Sequence, residues 1–148
     1  MKKRLTLLWL LGYTTLFQVG CQAPTPPITL TIDGHPVIAE VAISPTERAT
    51  GLMHRDRLGE SAGMLFVFPQ TGQHCMWMKE TMTPLSVAFL DANGWIVNVA
   101  DMQPGSLTQH CAKGLARFAL EMNVGWFARH GGKVGAKVSG LEALPMTN

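Results

Sequence analysis

The sequence predicts a mainly β domain with one or two short helices, folded as a sandwich or a partly closed barrel. Apolar residues alternate along several short segments, and Asp-Gly and Asn-Gly pairs separate these segments. Only one segment carries a clear signal for the start of a helix. About 120 residues follow the first Pro-rich stretch, which is enough for one hydrophobic core and too few for two domains.

Two hairpins and a buried strand are indicated by local patterns. Asp33-Gly34 separates two alternating segments within residues 28–43, and Asn93-Gly94 separates two more within residues 85–101. The continuous apolar run at residues 63–68 has the length of a buried strand. These segments account for most of the predicted sheet.

The helix signal lies at residues 45–53, where Ser44 can serve as the N-cap, with Pro45 at N1 and Glu47 at N3. Residues 113–125 fit the period of a helix and that of a strand equally well, so the pattern leaves both open. A turn and a last short strand are predicted at residues 131–139.

The N-terminus has the pattern of a secretory leader. Three basic residues at positions 2–4 precede an apolar run at residues 5–19, which is too short for a comfortable membrane span. We therefore predict a lipoprotein-like signal peptide at residues 1–20, a linker at residues 21–27 and a single β domain at residues 28–148.

Gly20-Cys21 resembles the lipobox at which bacterial prolipoproteins are cleaved and lipidated. Cys21 is thus the predicted lipidation site, and the protein is expected to be exported, either periplasmic or anchored to the membrane through Cys21. The alternatives are cleavage after Ala23 without lipidation and, as the least favoured, a leader retained uncleaved as an anchor. No other membrane contact is expected.

The charge of the chain depends on the leader. Three of the twelve Lys and Arg lie there, so nine remain against ten Asp and Glu, and the formal charge becomes −1. No Lys/Arg cluster is left to attract nucleic acid, which is therefore not an expected partner.

Soft and reactive side chains are concentrated in His-Cys-Met-Trp-Met at residues 74–78. In a strand His74, Met76 and Met78 would share one face, a ligand set that Cu(I) accepts. The alternative is that both Met side chains pack in the core. Because the sequence has no other soft-metal spacing, copper binding is a minor hypothesis and no cofactor is expected.

Cys75 and Cys111 remain as an even pair once Cys21 is assigned to the leader. In an oxidising compartment such a pair predicts a disulfide. A catalytic Cys75 is less well supported, because the adjacent His74 would point to the opposite face of a strand.

Four motifs occur in an order that resembles the bacterial and archaeal domain-of-unknown-function family 192. They are Gly-Leu-Met-x-Arg at residues 51–55, Gly-Met-Leu-Phe-x-Phe at 63–68, Trp-Met-Lys-x-Thr with a following Pro-Leu at 77–85, and Leu-Glu-x-Asn-x-Gly at 120–125. The resemblance extends from about Val37 to about Val138. It implies a compact β-sandwich akin to a jelly roll, export behind a leader, a strand at residues 116–122 and no established activity.

Two positions depart from the family's pattern. Glu80 stands where Asn is common, which weakens any role of a side-chain amide at that position. Ala136 stands where an acidic residue is common, which weakens the case for a charged site near the C-terminus.

Charged residues of these motifs lie among Gly and apolar residues, where a charge is costly unless it is paired. We therefore expect Arg55 or Lys79 to pair with Glu121. The pair could simply stabilise the fold, or it could belong to a shallow cleft for a small anionic or sugar-like ligand. The candidate ligand-binding residues are Met53, Arg55, Trp77, Met78, Lys79, Thr81 and Glu121.

No nucleophile elbow, phosphate loop, paired-carboxylate spacing or metallohydrolase motif is present in the sequence. We therefore expect a small binding or accessory module of the cell envelope, whose partner is a small ligand or an envelope protein. The alternative is a hydrolase or transferase that uses Arg55, Lys79 and Glu121. No catalytic residue is assigned.

Overall fold

The structure is a computed structural model that describes residues 25–145. The predicted signal peptide, Cys21 and most of the linker therefore lie outside the described residues. Within them the chain forms nine strands, two short α-helices and one 3₁₀ turn. The strands are β1 Ile28–Ile32, β2 His35–Ala42, β3 Ala62–Gly72, β4 Cys75–Met76, β5 Leu85–Leu90, β6 Ile96–Met102, β7 His110–Cys111, β8 Ala116–Asn123 and β9 Val138–Ser139; the helices are α1 Pro45–Thr50 and α2 Trp126–Arg129, and the 3₁₀ turn is Leu141–Ala143.

Seven strands form one sheet in the order β6-β5-β8-β3-β2-β1-β9. Neighbouring strands are antiparallel except β2 and β3, which are parallel. The two edges meet, because the Ile96 N–H donates to the Ala136 carbonyl and the Val138 N–H donates to the Gly94 carbonyl, both at 2.9 Å. The predicted mainly β domain with two short helices is confirmed, and its sheet curls into a half-barrel.

Both predicted hairpins are confirmed, and their turn residues have the required backbone conformations. Asp33 and Gly34 between β1 and β2 have φ angles of 47° and 80°, the combination that a tight hairpin turn demands. Between β5 and β6, Gly94 has a φ of 82° and the Asp91 carboxylate accepts from the N–H groups of Asn93 and Trp95.

Helix α1 begins where the sequence predicts and ends three residues earlier than predicted. The Ser44 hydroxyl accepts from the Glu47 N–H at 3.2 Å, while the Glu47 carboxylate accepts from the N–H groups of Ser44 and Ile43 at 2.8 and 3.0 Å. These backbone hydrogen bonds lower the pKa of Glu47. Gly51 ends the helix with a φ of 48° and places the following motif residues in a loop.

The segment whose pattern fits both a helix and a strand is strand β8, which pairs with β3 on one side and β5 on the other. Its side chains pack alternately into two apolar clusters on opposite faces of the sheet. A strand buried on both faces is apolar at almost every position, which explains why its period was ambiguous. Helix α2, which follows β8 directly, had no separate signal.

The first cluster lies inside the curled sheet and includes Leu65, Leu120 and Trp126. The second lies on the other face and includes Phe66, Val87, Met76 and Met78. Gly63 of β3 allows close contact with β8, because a Cβ there would lie 2.6 Å from the Glu121 carbonyl oxygen. The second cluster and this close strand pair position the candidate site.

A two-stranded ribbon of β4 and β7 covers the second cluster. Cys75 and Cys111 are directly opposite in the ribbon and form a disulfide of 2.05 Å, as predicted. The strand expected over residues 74–78 is only two residues long, yet the expected alternation holds: Met76 and Met78 are buried and Trp77 is exposed.

None of the helices in residues 25–145 has the length and apolar character needed to cross a membrane.

Replacement of both Cys75 and Cys111 by Ser is expected to lower the free energy of unfolding by roughly 3 to 4 kcal/mol, since the disulfide closes a loop with a sequence separation of 36. Urea denaturation of protein produced in an oxidising compartment measures the loss, with the oxidised wild type and the reduced wild type as references. Equal stability of the oxidised and double-mutant proteins would contradict the prediction.

Candidate functional site

Residues from all four sequence motifs meet in one depression above the second apolar cluster. Met53 follows α1, Trp77 and Thr81 lie between β4 and β5, and Glu121 lies in the middle of β8. We call this feature the Glu121 depression; it is lined by Arg48, Ala49, Thr50, Gly51, Leu52, Met53, Phe66, Met76, Trp77, Thr81 and Glu121. Four of the seven candidate ligand-binding residues are therefore adjacent to the same space.

The Glu121 depression is narrow, with a volume of about 20 Å³. That volume suits one water-sized group, because a cavity needs about 10–15 Å³ to hold a water molecule. The Trp77 side chain is 45% exposed, so its indole contributes to the wall and also faces solvent. Any larger molecule bound here would insert one small group and lie mostly outside.

Glu121 is 3% exposed, and burial raises its pKa from 4.5 to about 8. Its paired neighbours on the adjacent strands are Met64 and Val87, both apolar. Within residues 25–145, no Lys, Arg or His nitrogen lies within 4.0 Å of this carboxyl group. Glu121 is therefore mostly protonated and uncharged near neutral pH.

The expected ion pair of Arg55 or Lys79 with Glu121 is not formed. Arg55 instead donates two hydrogen bonds to the Glu40 carboxylate, at 2.9 and 2.7 Å, and this partner raises the Arg55 pKa. Both side chains are more than 40% exposed, so the pair lies at the surface. Sequence motifs could not reveal this pairing because Glu40 lies in β2, outside all four motifs.

A second cavity, of about 580 Å³, lies next to the Glu121 depression and shares Thr50 and Gly51 with it. Arg55 and Glu40 line this cavity, together with apolar residues such as Val41 and Met64. The N-terminal end of the described chain, Thr25–Pro27, forms another part of its wall. Arg55 and Glu121 therefore line two different spaces.

Lys79 is exposed, and its Nζ lies 5.8 Å from the centre of the Trp77 ring. Because Trp77 lines the Glu121 depression, this contact places Lys79 near the depression. Lys79 itself is not one of the lining residues. Met78 is 1% exposed and packs in the second cluster. Arg55, Lys79 and Met78 are thus positioned around the depression, outside its lining.

Two residues in left-handed conformation join the motif loops. His54 and Glu80 have φ angles of 61° and 52°, and the His54 N–H donates to the Glu80 carbonyl at 3.0 Å. Asn adopts this conformation more readily than Glu. The Asn that the resemblance leads us to expect at position 80 would therefore have a backbone explanation, without a role for its side-chain amide.

Two polar side chains fix the remaining loops. The Thr81 hydroxyl donates to the Lys79 carbonyl at 3.0 Å, and the Asn123 amide donates to the Gly59 carbonyl at 2.9 Å. Thr81 is 5% exposed and lines the depression, and this hydrogen bond fixes the orientation of its hydroxyl. Ala136, the other departure from the family pattern, packs against the first cluster on the opposite face.

The proposed copper ligands have structural partners. Met76 and Met78 are buried in the second cluster, and the His74 ring stacks on Phe68 at 3.8 Å. His74 Nε2 also lies 2.8 Å from the Gln70 carbonyl oxygen. Among residues 25–145, no group of three or more His, Cys, Asp and Glu is arranged to hold a metal ion. These contacts favour the packing alternative for both Met side chains.

The sequence motifs missed part of the lining. Ala49 and Thr50 belong to the last turn of α1, and Met76 was assigned only to the core or to copper. Phe66 belongs to the motif at residues 63–68, but a buried strand does not reveal which of its residues face a cavity. Their role follows from the packing of α1 and the ribbon over β3 and β8.

Replacement of Glu121 by Gln is expected to remove a pH dependence of stability between about pH 4.5 and pH 8. In the wild type the folded state keeps a proton that the unfolded chain releases, so stability should fall as pH rises, by at most about 1.4 kcal/mol per pH unit. The measurement is urea denaturation of both proteins across this range. Both proteins contain the same His residues, so the His contributions to the pH dependence of stability cancel when the two proteins are compared. Parallel plots of stability against pH for the two proteins would contradict a protonated Glu121.

Comparisons with known proteins agree with the fold. A structure of a Sinorhizobium meliloti 1021 protein, described as a candidate transcription regulator, has 29% identity and a TM-score of 0.76, and the match covers 80% of this chain and 97% of that one. A Novosphingobium aromaticivorans DSM 12444 protein of unknown function has 31% identity and a TM-score of 0.74, with 80% and 94% covered.

A search of curated proteins found no match. The sequence pattern of the family DUF192, described as "Uncharacterized ACR", matches residues 28–140. That range contains the whole Glu121 depression and both ribbon strands. The chain belongs to the DUF192 family, for which no function is established.

Proposed function

We propose that this protein is a small exported binding domain of the cell envelope, anchored through a lipid on Cys21, and that its ligand binds at the Glu121 depression. One observation carries the proposal: Glu121 is buried without an ion pair in a depression lined by residues of all four motifs. The leader pattern and the Gly20-Cys21 pair support export and anchoring.

A purely structural role accounts poorly for Glu121. Burial of a carboxyl group without a partner lowers stability, and an apolar side chain of similar size would fit the surrounding Met64, Phe66 and Val87. Residues that reduce stability in this way are common at functional sites. The exposed Trp77 beside it offers a large contact surface to a ligand.

The description of the Sinorhizobium protein as a regulator does not extend well to this chain. Contact with DNA requires a surface rich in Lys and Arg. Residues 25–148 carry nine such residues against ten Asp and Glu, and Arg55 is already paired with Glu40. Ligand binding is the better supported activity.

A hydrolase or transferase remains the second candidate, and the raised pKa of Glu121 favours it. A carboxyl group that is still protonated near neutral pH can act as a general acid. The assisting cations of this hypothesis, Arg55 and Lys79, lie outside the depression. We would favour this candidate over simple binding if the wild type converted a bound compound and Glu121→Gln bound the same compound without converting it.

Ligand binding can be tested with Trp77→Ala, and Trp95→Ala is a matched control. Both Trp side chains are nearly half exposed, and each has a Lys near its ring, Lys79 at 5.8 Å and Lys137 at 5.0 Å. In a thermal-shift screen of small metabolites, we expect compounds that raise the Tm of the wild type and of Trp95→Ala, and fail to raise that of Trp77→Ala. Equal shifts in all three proteins would contradict a site at Trp77.

Anchoring can be tested with Cys21→Ser in the full chain. The wild type should incorporate radiolabelled palmitate and sediment with the membrane fraction, whereas Cys21→Ser should do neither, because the acyl chains provide the membrane affinity. Cys111→Ser in the same cells controls for the loss of a cysteine. Labelling of Cys21→Ser, or an unlabelled wild type, would contradict lipidation at Cys21.

A further inference from the structure

We propose that the Glu121 depression recognises a carbohydrate-like ligand, with one ligand hydroxyl inserted beside Glu121 and a sugar ring packed against Trp77. This inference rests on the binding function proposed above and specifies the class of ligand. It follows from the size of the depression, from the hydrogen-bonding groups in its wall and from the exposed indole at its rim.

Size is the first argument. A volume of about 20 Å³ accepts one oxygen-sized group and is too small for a phosphate or for a complete ring. The ligand must therefore extend a single small group inward from a larger body. A ring with hydroxyl substituents has this shape, since each hydroxyl projects by one bond from the ring.

Hydrogen bonding is the second argument. The Thr81 hydroxyl donates its hydrogen to the Lys79 carbonyl, so it offers only lone pairs to a ligand. A protonated Glu121 carboxyl both donates and accepts. A hydroxyl also donates and accepts, so it matches the hydrogen-bonding capacity of both groups. A ligand carboxylate could only accept, and an ammonium group could only donate.

The surface around the opening is the third argument. Trp77 is 45% exposed and Met53 lines the same depression, so two apolar side chains are available beside its polar groups. The C–H face of a sugar ring can pack on a flat indole through dispersion contacts. Lys79, whose Nζ lies 5.8 Å from the Trp77 ring centre, can donate to further ligand oxygens.

The test uses the full chain after export and four polyols: glucose, galactose, N-acetylglucosamine and myo-inositol. Tetrahydropyran, a ring ether without hydroxyls, and n-butylammonium serve as comparison compounds. We expect at least one polyol to cause a saturable NMR shift of the Trp77 indole N–H, with no shift at Trp95. Tetrahydropyran and n-butylammonium should cause none.

Two substitutions of Glu121 separate recognition from folding. Glu121→Gln keeps a group that donates and accepts, so the Kd should stay within about threefold of wild type. Glu121→Met removes that group and should weaken binding about tenfold or more, without loss of stability, because Met suits an apolar cluster. A polyol that binds should raise the Tm of the wild type and of Trp95→Ala, and it should leave the Tm of Trp77→Ala unchanged.

The outcomes distinguish this inference from the proposed function. Polyol binding that is lost in Trp77→Ala and weakened in Glu121→Met supports both. If no polyol binds but another compound binds in a manner that depends on Trp77, the carbohydrate inference is overturned and the binding function stands. Polyol binding that is unchanged in Glu121→Met overturns the inserted hydroxyl. If no compound of any class binds at Trp77, both proposals fail.

Discussion

The structure depends on one constraint, which is the burial of strand β8 on both faces of the sheet. Leu120 packs in the cluster inside the curled sheet, while its neighbour Ala119 packs in the cluster on the other face. Gly63 lets β3 approach β8 closely at this point. Because both faces are covered, the central strand tolerates few polar side chains, and Glu121 is the one acidic residue among the buried positions of the described chain.

The chemistry of the depression follows from this constraint. Burial disfavours the ionised form of this carboxyl group, and its pKa rises to about 8. The ion pair expected from the motif residues does not form, since the Arg55 guanidinium finds Glu40 at the surface, where little desolvation is required. A neutral, buried hydrogen-bonding group beside an exposed Trp77 suits recognition of an uncharged polar ligand better than recognition of an anion.

The cover over the second cluster is built from short elements that could not be stable alone. The ribbon has only two residues in each strand, and the Cys75–Cys111 disulfide joins them. The loops that carry the motifs are joined by the hydrogen bond from His54 to the Glu80 carbonyl, between two residues in left-handed conformation. The walls of the depression are therefore fixed by covalent and backbone constraints.

Local patterns in the sequence determined the hairpins at Asp33-Gly34 and Asn93-Gly94, the start of α1 and the disulfide pair, because turn chemistry, helix capping and cysteine pairing depend on few residues. Family resemblance added β8 as a strand and singled out most residues around the site. Only the tertiary structure decided which charges pair and which side chains share a cavity. Arg55 of the first motif and Glu121 of the last line different spaces, because pairing is governed by distance and solvation in the fold, and neither quantity is encoded in a local pattern.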